Sequence, residues 1–181
     1  MRAIQRGLTL LCLMTVAAVA SGADSPEAVV RAFLAAMQTD GVAATVPRFT
    51  HPDECARFKG MFMRRIRKGF DDPNDKFSED ILGRKMSLEG IEAMPPAEFM
   101  AALLRRSQMD GSEPKPPRFI SSTRDGDIVH LVVLTELTSL NGVPTQRRDV
   151  VSLKAMGDSW RMTLSPELEA YAAALVSEMK K

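Results

Sequence analysis

Cysteine, histidine and tyrosine are scarce in this chain, and that scarcity narrows its chemistry before any motif is sought. Among 181 residues there are two Cys, two His, one Trp and one Tyr. Cys12 falls in an apolar leader, which leaves Cys55 alone in the remainder. An intramolecular disulfide and a paired-cysteine metal site are both excluded for a chain that has shed that leader. An excess of either charge is missing too, since 24 Lys and Arg face 23 Asp and Glu. Nucleic-acid binders show a basic excess, so that partner is set aside. The chain also lacks a nucleophile elbow, a phosphate-binding glycine loop, an internal repeat and a low-complexity segment.

What is present begins with an export signal. Arg2 and Arg6 precede an apolar run from Leu8 to Ala20, interrupted only by Thr9 and Thr15. The run is shorter than the roughly 20 residues a spanning helix needs, so no stable membrane anchor is expected. Small residues at Ala18, Ala20, Ser21 and Ala23 allow cleavage after Ala20 or Ala23. Asp24-Ser25-Pro26 resembles a helix start, which favours the later cut. Loss of Arg2 and Arg6 leaves 22 basic residues against 23 acidic ones, a net charge of −1. The expected address is periplasmic or secreted, and the expected organisation is a signal peptide at 1–23 and one domain at 24–181.

Helical spacing dominates the first half. In "SPEAVVRAFLAAM" Ser25 caps, Pro26 takes the first position, and Val29, Val30, Phe33, Leu34 and Met37 form a stripe that Gly41 ends. The stretch "THPDECARFKGMF" gathers His51, Asp53, Glu54 and Cys55, which raises the prospect of a metal or thiol site. Metal ligands should converge as two or more His or Cys at ligand spacing. Here a lone His precedes Pro52, two acids occupy a first turn where the dipole favours them, and Cys55 opens the stripe Phe58, Phe62, Ile66, Phe70. This is the start of a helix, and no metal is expected.

Residues 57–68 carry six Lys or Arg and no acid, which reads as a solvated face neutralised by the acids of "DDPNDKFSED". That acidic stretch lacks the glycine and terminal glutamate of a calcium loop. Two shorter helical pieces, broken at Pro95-Pro96, complete a helical layer over 25–112. Proline-rich "EPKPP" at 113–117 then marks a change of structure.

The second half alternates. Asp125-Gly126, Asn141-Gly142 and Gly157-Asp158 are two-residue hairpin signals, and they predict a four-stranded antiparallel meander over about 117–165. These turns set Phe119 opposite Val132, Ser121 opposite His130, His130 opposite Leu153, Leu153 opposite Met162 and Ala155 opposite Trp160. One face then carries Phe119, Ile128, His130, Val132, Leu134, Val151, Leu153, Trp160, Met162 and Leu164. The other carries an apolar patch of Ile120, Leu131, Val133 and Val150 among polar residues. "SPELEAYAAALVSEMKK" restarts a helix over 166–180, with Leu168, Tyr171, Leu175 and Met179 in a stripe. The predicted class is α+β, with N-terminal helices on one face of the meander and a C-terminal helix.

That element order, with a Gly-Asp turn before "SWRM" and the closing "VVSLKAMGDSWRMTL", resembles the nuclear-transport-factor-2-like superfamily, a cystatin-like α+β roll. The resemblance covers roughly residues 25–165. It implies a cone with a pocket between helices and sheet, and dimerisation through the outer sheet face. It hosts enzymes, binders and assembly domains alike, so it does not choose a function. The tyrosine-and-two-acids pattern of its ketosteroid isomerases finds no match, because Tyr171 lies on the last helix.

The expected ligand-binding residues are Phe119, Ser121, His130, Leu134, Asp149 and Trp160, around a small apolar ligand and without a cofactor. The favoured function is a non-enzymatic exported domain that binds such a ligand or a protein partner. His130 and Asp149 are the catalytic candidates of an alternative, isomerase- or hydrolase-like reading, which requires them to share one cavity. A further alternative is a subunit of an envelope assembly. The patch of Ile120, Leu131, Val133 and Val150 needs a cover, either a second copy in a homodimer or the C-terminal helix. Exported material should begin at Asp24 by N-terminal sequencing. A start at Ser21 moves only the cut, whereas a start at Met1 contradicts a cleaved signal.

Overall fold

The computed structural model describes residues 25–106, 118–138 and 144–178. The leader, the proline-rich segment at 113–117, the Asn141-Gly142 turn and Met179 lie outside the described residues. In chain order come α1 (Pro26–Asp40), α2 (Val42–Phe49), α3 (Pro52–Phe70), α4 (Phe77–Leu82), α5 (Leu88–Ala93) and α6 (Pro96–Arg106). They are followed by β1 (Arg118–Asp125), β2 (Ile128–Thr138), β3 (Pro144–Met156), β4 (Ser159–Met162) and α7 (Pro166–Glu178). The class is α+β. The strands form one antiparallel sheet in sequential order. Among the described residues no strand precedes β1, apart from a single bridge at Thr50.

The helices start where side chains can take up orphan amides. Ser25 Oγ accepts from Ala28 N–H, with Pro26 at the first position of α1. His51 Nδ1 accepts from Asp53 N–H at 3.2 Å, and Pro52 opens α3. The predicted stripe of α3 is the centre of the helical core. Cys55, Phe58, Phe62 and Ile66 are buried, with Phe62 against Phe58 and Phe99 at ring distances of 5.3 and 5.7 Å. Phe70, at the end of the stripe, is exposed. The basic face of α3 is less solvated than its composition predicts. Lys59 is buried and donates to the carbonyls of Glu92 and Met94 at 2.8 and 2.7 Å, closing the C-terminal end of α5. Arg57 bonds Glu54 and Glu169, and Arg67 bonds Glu92. Only Arg65 finds its acid, Asp75, in the acidic stretch that follows.

The helix α2 has no sequence signature. Val42, Thr45 and Val46 are β-branched and Pro47 sits inside it. Packing against its neighbours overrides that poor propensity: Thr45, Val46 and Pro47 are all buried. The helix α7 likewise joins the helical core, with Ala172 buried and Leu168, Tyr171 and Leu175 packed beside it. It therefore does not cover the outer sheet face.

The sheet corrects three of the predicted pairings and keeps two. The β3–β4 turn at Gly157-Asp158 stands as predicted, with Leu153 opposite Met162 and Ala155 opposite Trp160. The first turn is Gly126-Asp127, because Asp125 itself pairs with Ile128; Gly126, at φ 60°, supplies the left-handed conformation there. An irregularity between Phe119 and Ser121 then places Phe119 opposite Val133 and Ser121 opposite Val132. In the central pair, Thr138 faces Pro144 across the connection 139–143, an odd number of residues where a two-residue turn was expected. His130 consequently pairs with Ser152 and not Leu153. Because side chains alternate, that one-residue slip turns β2 over. Val129, Leu131 and Val133 face α1, in one cluster with Val29, Val30 and Leu153, while Ile128, His130, Val132 and Leu134 take the other side.

Two predictions follow from this packing. Thr45 is fully buried and its Oγ1 has no partner among the described residues. Replacing the hydroxyl by a methyl in Thr45→Val should raise stability in urea by about 1 kcal/mol, since an unsatisfied buried hydroxyl costs about 1–3 kcal/mol. A loss of that size would show that the hydroxyl is bonded. The second concerns Asp75. Burial alone would raise its carboxyl, but the Phe77 N–H at 2.8 Å and Arg65 at 2.6 Å outweigh burial and hold it below its ordinary value. A depressed folded pKa contributes stability above the unfolded value, near 3.8, and loses it as pH falls through the folded value. Asp75→Asn should therefore be less stable than wild type at pH 7, and the gap should close as pH falls below about 3.8. A gap unchanged from pH 7 to pH 2 would contradict the assignment.

Candidate functional site

Residues paired across an antiparallel ladder share a face, so the registers sort every predicted site residue. Phe119, Asp149 and Trp160 lie on the α1 side of the sheet; Ser121, His130 and Leu134 lie on the outer side. The six do not converge. Each of the three on the inner side already has a companion. The Arg31 guanidinium lies 4.7 Å from the Phe119 ring centre, Arg124 lies 5.5 Å from that of Trp160, and Asp149 accepts from Arg147 at 2.8 Å. On the outer side His130 Nδ1 meets Ser152 Oγ at 2.7 Å. His130 and Asp149 thus point to opposite faces, and a shared catalytic cavity is not formed.

The predicted dimer patch is also split. Leu131 and Val133 are 0% and 3% exposed beneath α1, whereas Ile120, at the irregularity of β1, and Val150, on the outer face, are 47% and 61% exposed. The physical reason is again the β2–β3 register. Val132 replaces the two lost residues, since it pairs directly with Val150 and sits beside Ser121 and the irregular Ile120. Met156, 37% exposed, belongs to the same face by alternation.

The outer face is therefore a row of β-branched side chains in the middle of the sheet, flanked by two polar rows. On one flank Leu134, itself buried, lies between the exposed Arg118 and Arg148; on the other His130 lies between Thr123 and Ser152. Arg118 and Arg148 are exposed and have no carboxylate partner among the described residues. Lys154 reaches Asp53 at 3.2 Å and Arg161 donates to the Trp160 carbonyl. Among the described residues no helix packs on the row: α1 covers the inner face, and α7 packs in the helical core. An exposed valine in an interior strand, opposite another valine, is the kind of surface a partner covers.

The first candidate cluster, His51 to Cys55, is structural. His51 caps α3, and its backbone N–H donates to the Met162 carbonyl at 2.9 Å, tying the helix to the sheet edge. Cys55 is buried, its thiol 3.9 Å from the Pro47 carbonyl. Burial, with help from Glu54, pushes the thiol pKa up.

Sequence reasoning missed Val132, Arg118 and Arg148. One signal for Arg148 was available in "RRDVVSL", where Val151 and Leu153 claim the inner face and so put Arg148, Val150 and Ser152 outside. No family model, curated protein or solved structure matches this chain.

With its thiolate suppressed and its sulfur covered, Cys55 should resist an aromatic disulfide reagent in the native protein and react only at the rate of unfolding. Full modification within seconds at pH 8, without denaturant, would contradict this.

Proposed function

We propose that this chain is an exported, non-enzymatic binding domain that holds a protein segment on the outer face of its sheet. One observation carries the proposal. Val150 is 61% exposed in an interior strand, directly opposite Val132, whose β1 partner Ser121 adjoins the exposed Ile120. Monomeric proteins rarely leave a contiguous apolar patch uncovered unless it has a use. The separation of His130 from Asp149 removes support for the enzyme alternative. The companions of Phe119, Asp149 and Trp160 remove support for a small apolar ligand as the main cargo. Export rests on the leader of Arg2, Arg6 and Leu8 to Ala20. The nuclear-transport-factor-2-like resemblance also makes the outer sheet face an interface, though with a second copy as its occupant.

The test is a random-sequence 12-mer peptide library displayed on phage, panned on the chain from Asp24 and counter-selected on Val150→Asp. The substitution sits on an exposed side chain, so its cost to stability should stay within about 0.5 kcal/mol. Clones specific for the wild type are expected. Synthetic copies should shift the amide resonances of Ile120, Val132 and Val150. Peptides that bind Val150→Asp equally well, or that shift only helical resonances, would overturn the proposal.

A further inference from the structure

We infer that the segment this face takes is acidic as well as apolar: it seats aliphatic side chains on Ile120, Val132 and Val150 and brings carboxylates to Arg118 and Arg148. This rests on the outer-face reading above and goes on to name the chemistry of the partner. Leu134 pairs with Arg118 on one side and Arg148 on the other, so the two arginines bracket the residue next to the valine row on the same face. Two strand spacings separate them, about 10 Å. Both are exposed, and among the described residues neither meets a carboxylate, whereas Arg57, Arg65, Arg67 and Arg147 each do. A guanidinium fork beside an apolar row suits a carboxylate at the rim of an interface, where it selects and orients a partner.

Charge also decides against a second copy as the occupant. By register the outer face carries Arg118, Arg148 and Arg161, with Lys154 already answered by Asp53, against Asp125 and Glu136. Apposing two such faces puts like charges together, and like-charge juxtaposition disfavours a partner. An acidic amphipathic segment meets no such penalty. Its aliphatic side chains take up the exposed valine and isoleucine while its carboxylates answer the two arginines that meet none among the described residues.

The test uses the peptides selected on the wild-type chain. Asp and Glu should be enriched over Lys and Arg among them, next to Val, Ile, Leu or Phe. Arg118→Glu/Arg148→Glu should weaken their binding at least tenfold, and raising salt from about 50 to 500 mM should weaken wild-type binding several-fold. Both substitutions are on exposed side chains, and circular dichroism with urea unfolding checks that the fold is kept. If the peptides carry no acidic excess, or the double variant binds them as well as the wild type, the acidic-partner inference fails while the outer-face reading stands. If Val150→Asp leaves binding unchanged, both fail. Two controls identify other occupants. A dimer of the wild type in sedimentation that Val150→Asp converts to monomer makes a second copy the occupant. Binding to phosphatidylglycerol vesicles that Val150→Asp abolishes makes it a membrane. Either result overturns the inference.

Discussion

The pairing of β2 with β3, which sets Leu131 opposite Val151 and Val132 opposite Val150, decides what is inside this protein and what is outside. Side chains alternate along a strand, so no intermediate arrangement exists between this register and its neighbours. In the observed one, Val129, Leu131 and Val133 meet Val29 and Val30 of α1. Fully burying such side chains is worth roughly 1.5–3 kcal/mol each. Turned over by one residue, β2 would send His130 beneath α1 with Ile128 and Val132. The histidine would then lose Ser152, its 2.7 Å partner, and an unsatisfied buried polar group costs about 1–3 kcal/mol. The choice follows from that penalty.

A second constraint joins the sheet to the helical core. Thr50 bridges to Met162, and the next residue, His51, donates its N–H to the Met162 carbonyl while its ring caps α3. Asp53 then takes Lys154 from β3, and the Glu54 carboxylate lies 3.5 Å from the Leu164 amide. One short stretch thus begins the main core helix and extends the edge of the sheet beside β4. Its cluster of His, Asp, Glu and Cys looks like chemistry in one dimension and serves as a joint in three. With α1 on the inner face and α7 on the helical core, no described helix covers the exposed Val150, and the functional proposal depends on that exposure.

Much of this was legible in the sequence where local signals are strong. Ser25-Pro26 and His51-Pro52 announce two helices through capping, and Phe58, Phe62 and Ile66 announce the buried side of α3 through spacing. Gly157-Asp158 sets the last hairpin correctly. The helix α2 was not legible, because it stands by burial of Thr45, Val46 and Pro47 against the propensity of its own residues. The partner of Lys59 was not legible either, since the two carbonyls it caps lie 33 and 35 residues away. In β2 the string "IVHLVVLTEL" is largely apolar on both faces, so only His130 and Glu136 tell the faces apart. A turn position one residue in error then outweighed those two clues. The consequence reached the site, since Leu131 and Val133 exchanged places with Val132, and the Asp149–His130 pair dissolved. Arg118 and Arg148 became visible as a pair only when both were seen to flank Leu134.

In this fold β2 shows Leu131 and Val133 to α1 and Val132 to the outside. Methyl nuclear Overhauser contacts on the isotope-labelled chain from Asp24 test it directly. The structure predicts contacts from the Leu131 and Val133 methyls into the cluster that holds Val29 and Val30. It predicts Val132 contacts to Val150 and none from either valine to α1. Contacts from Val132 to Val29 or Val30, with Leu131 and Val133 in contact with neither, would contradict it.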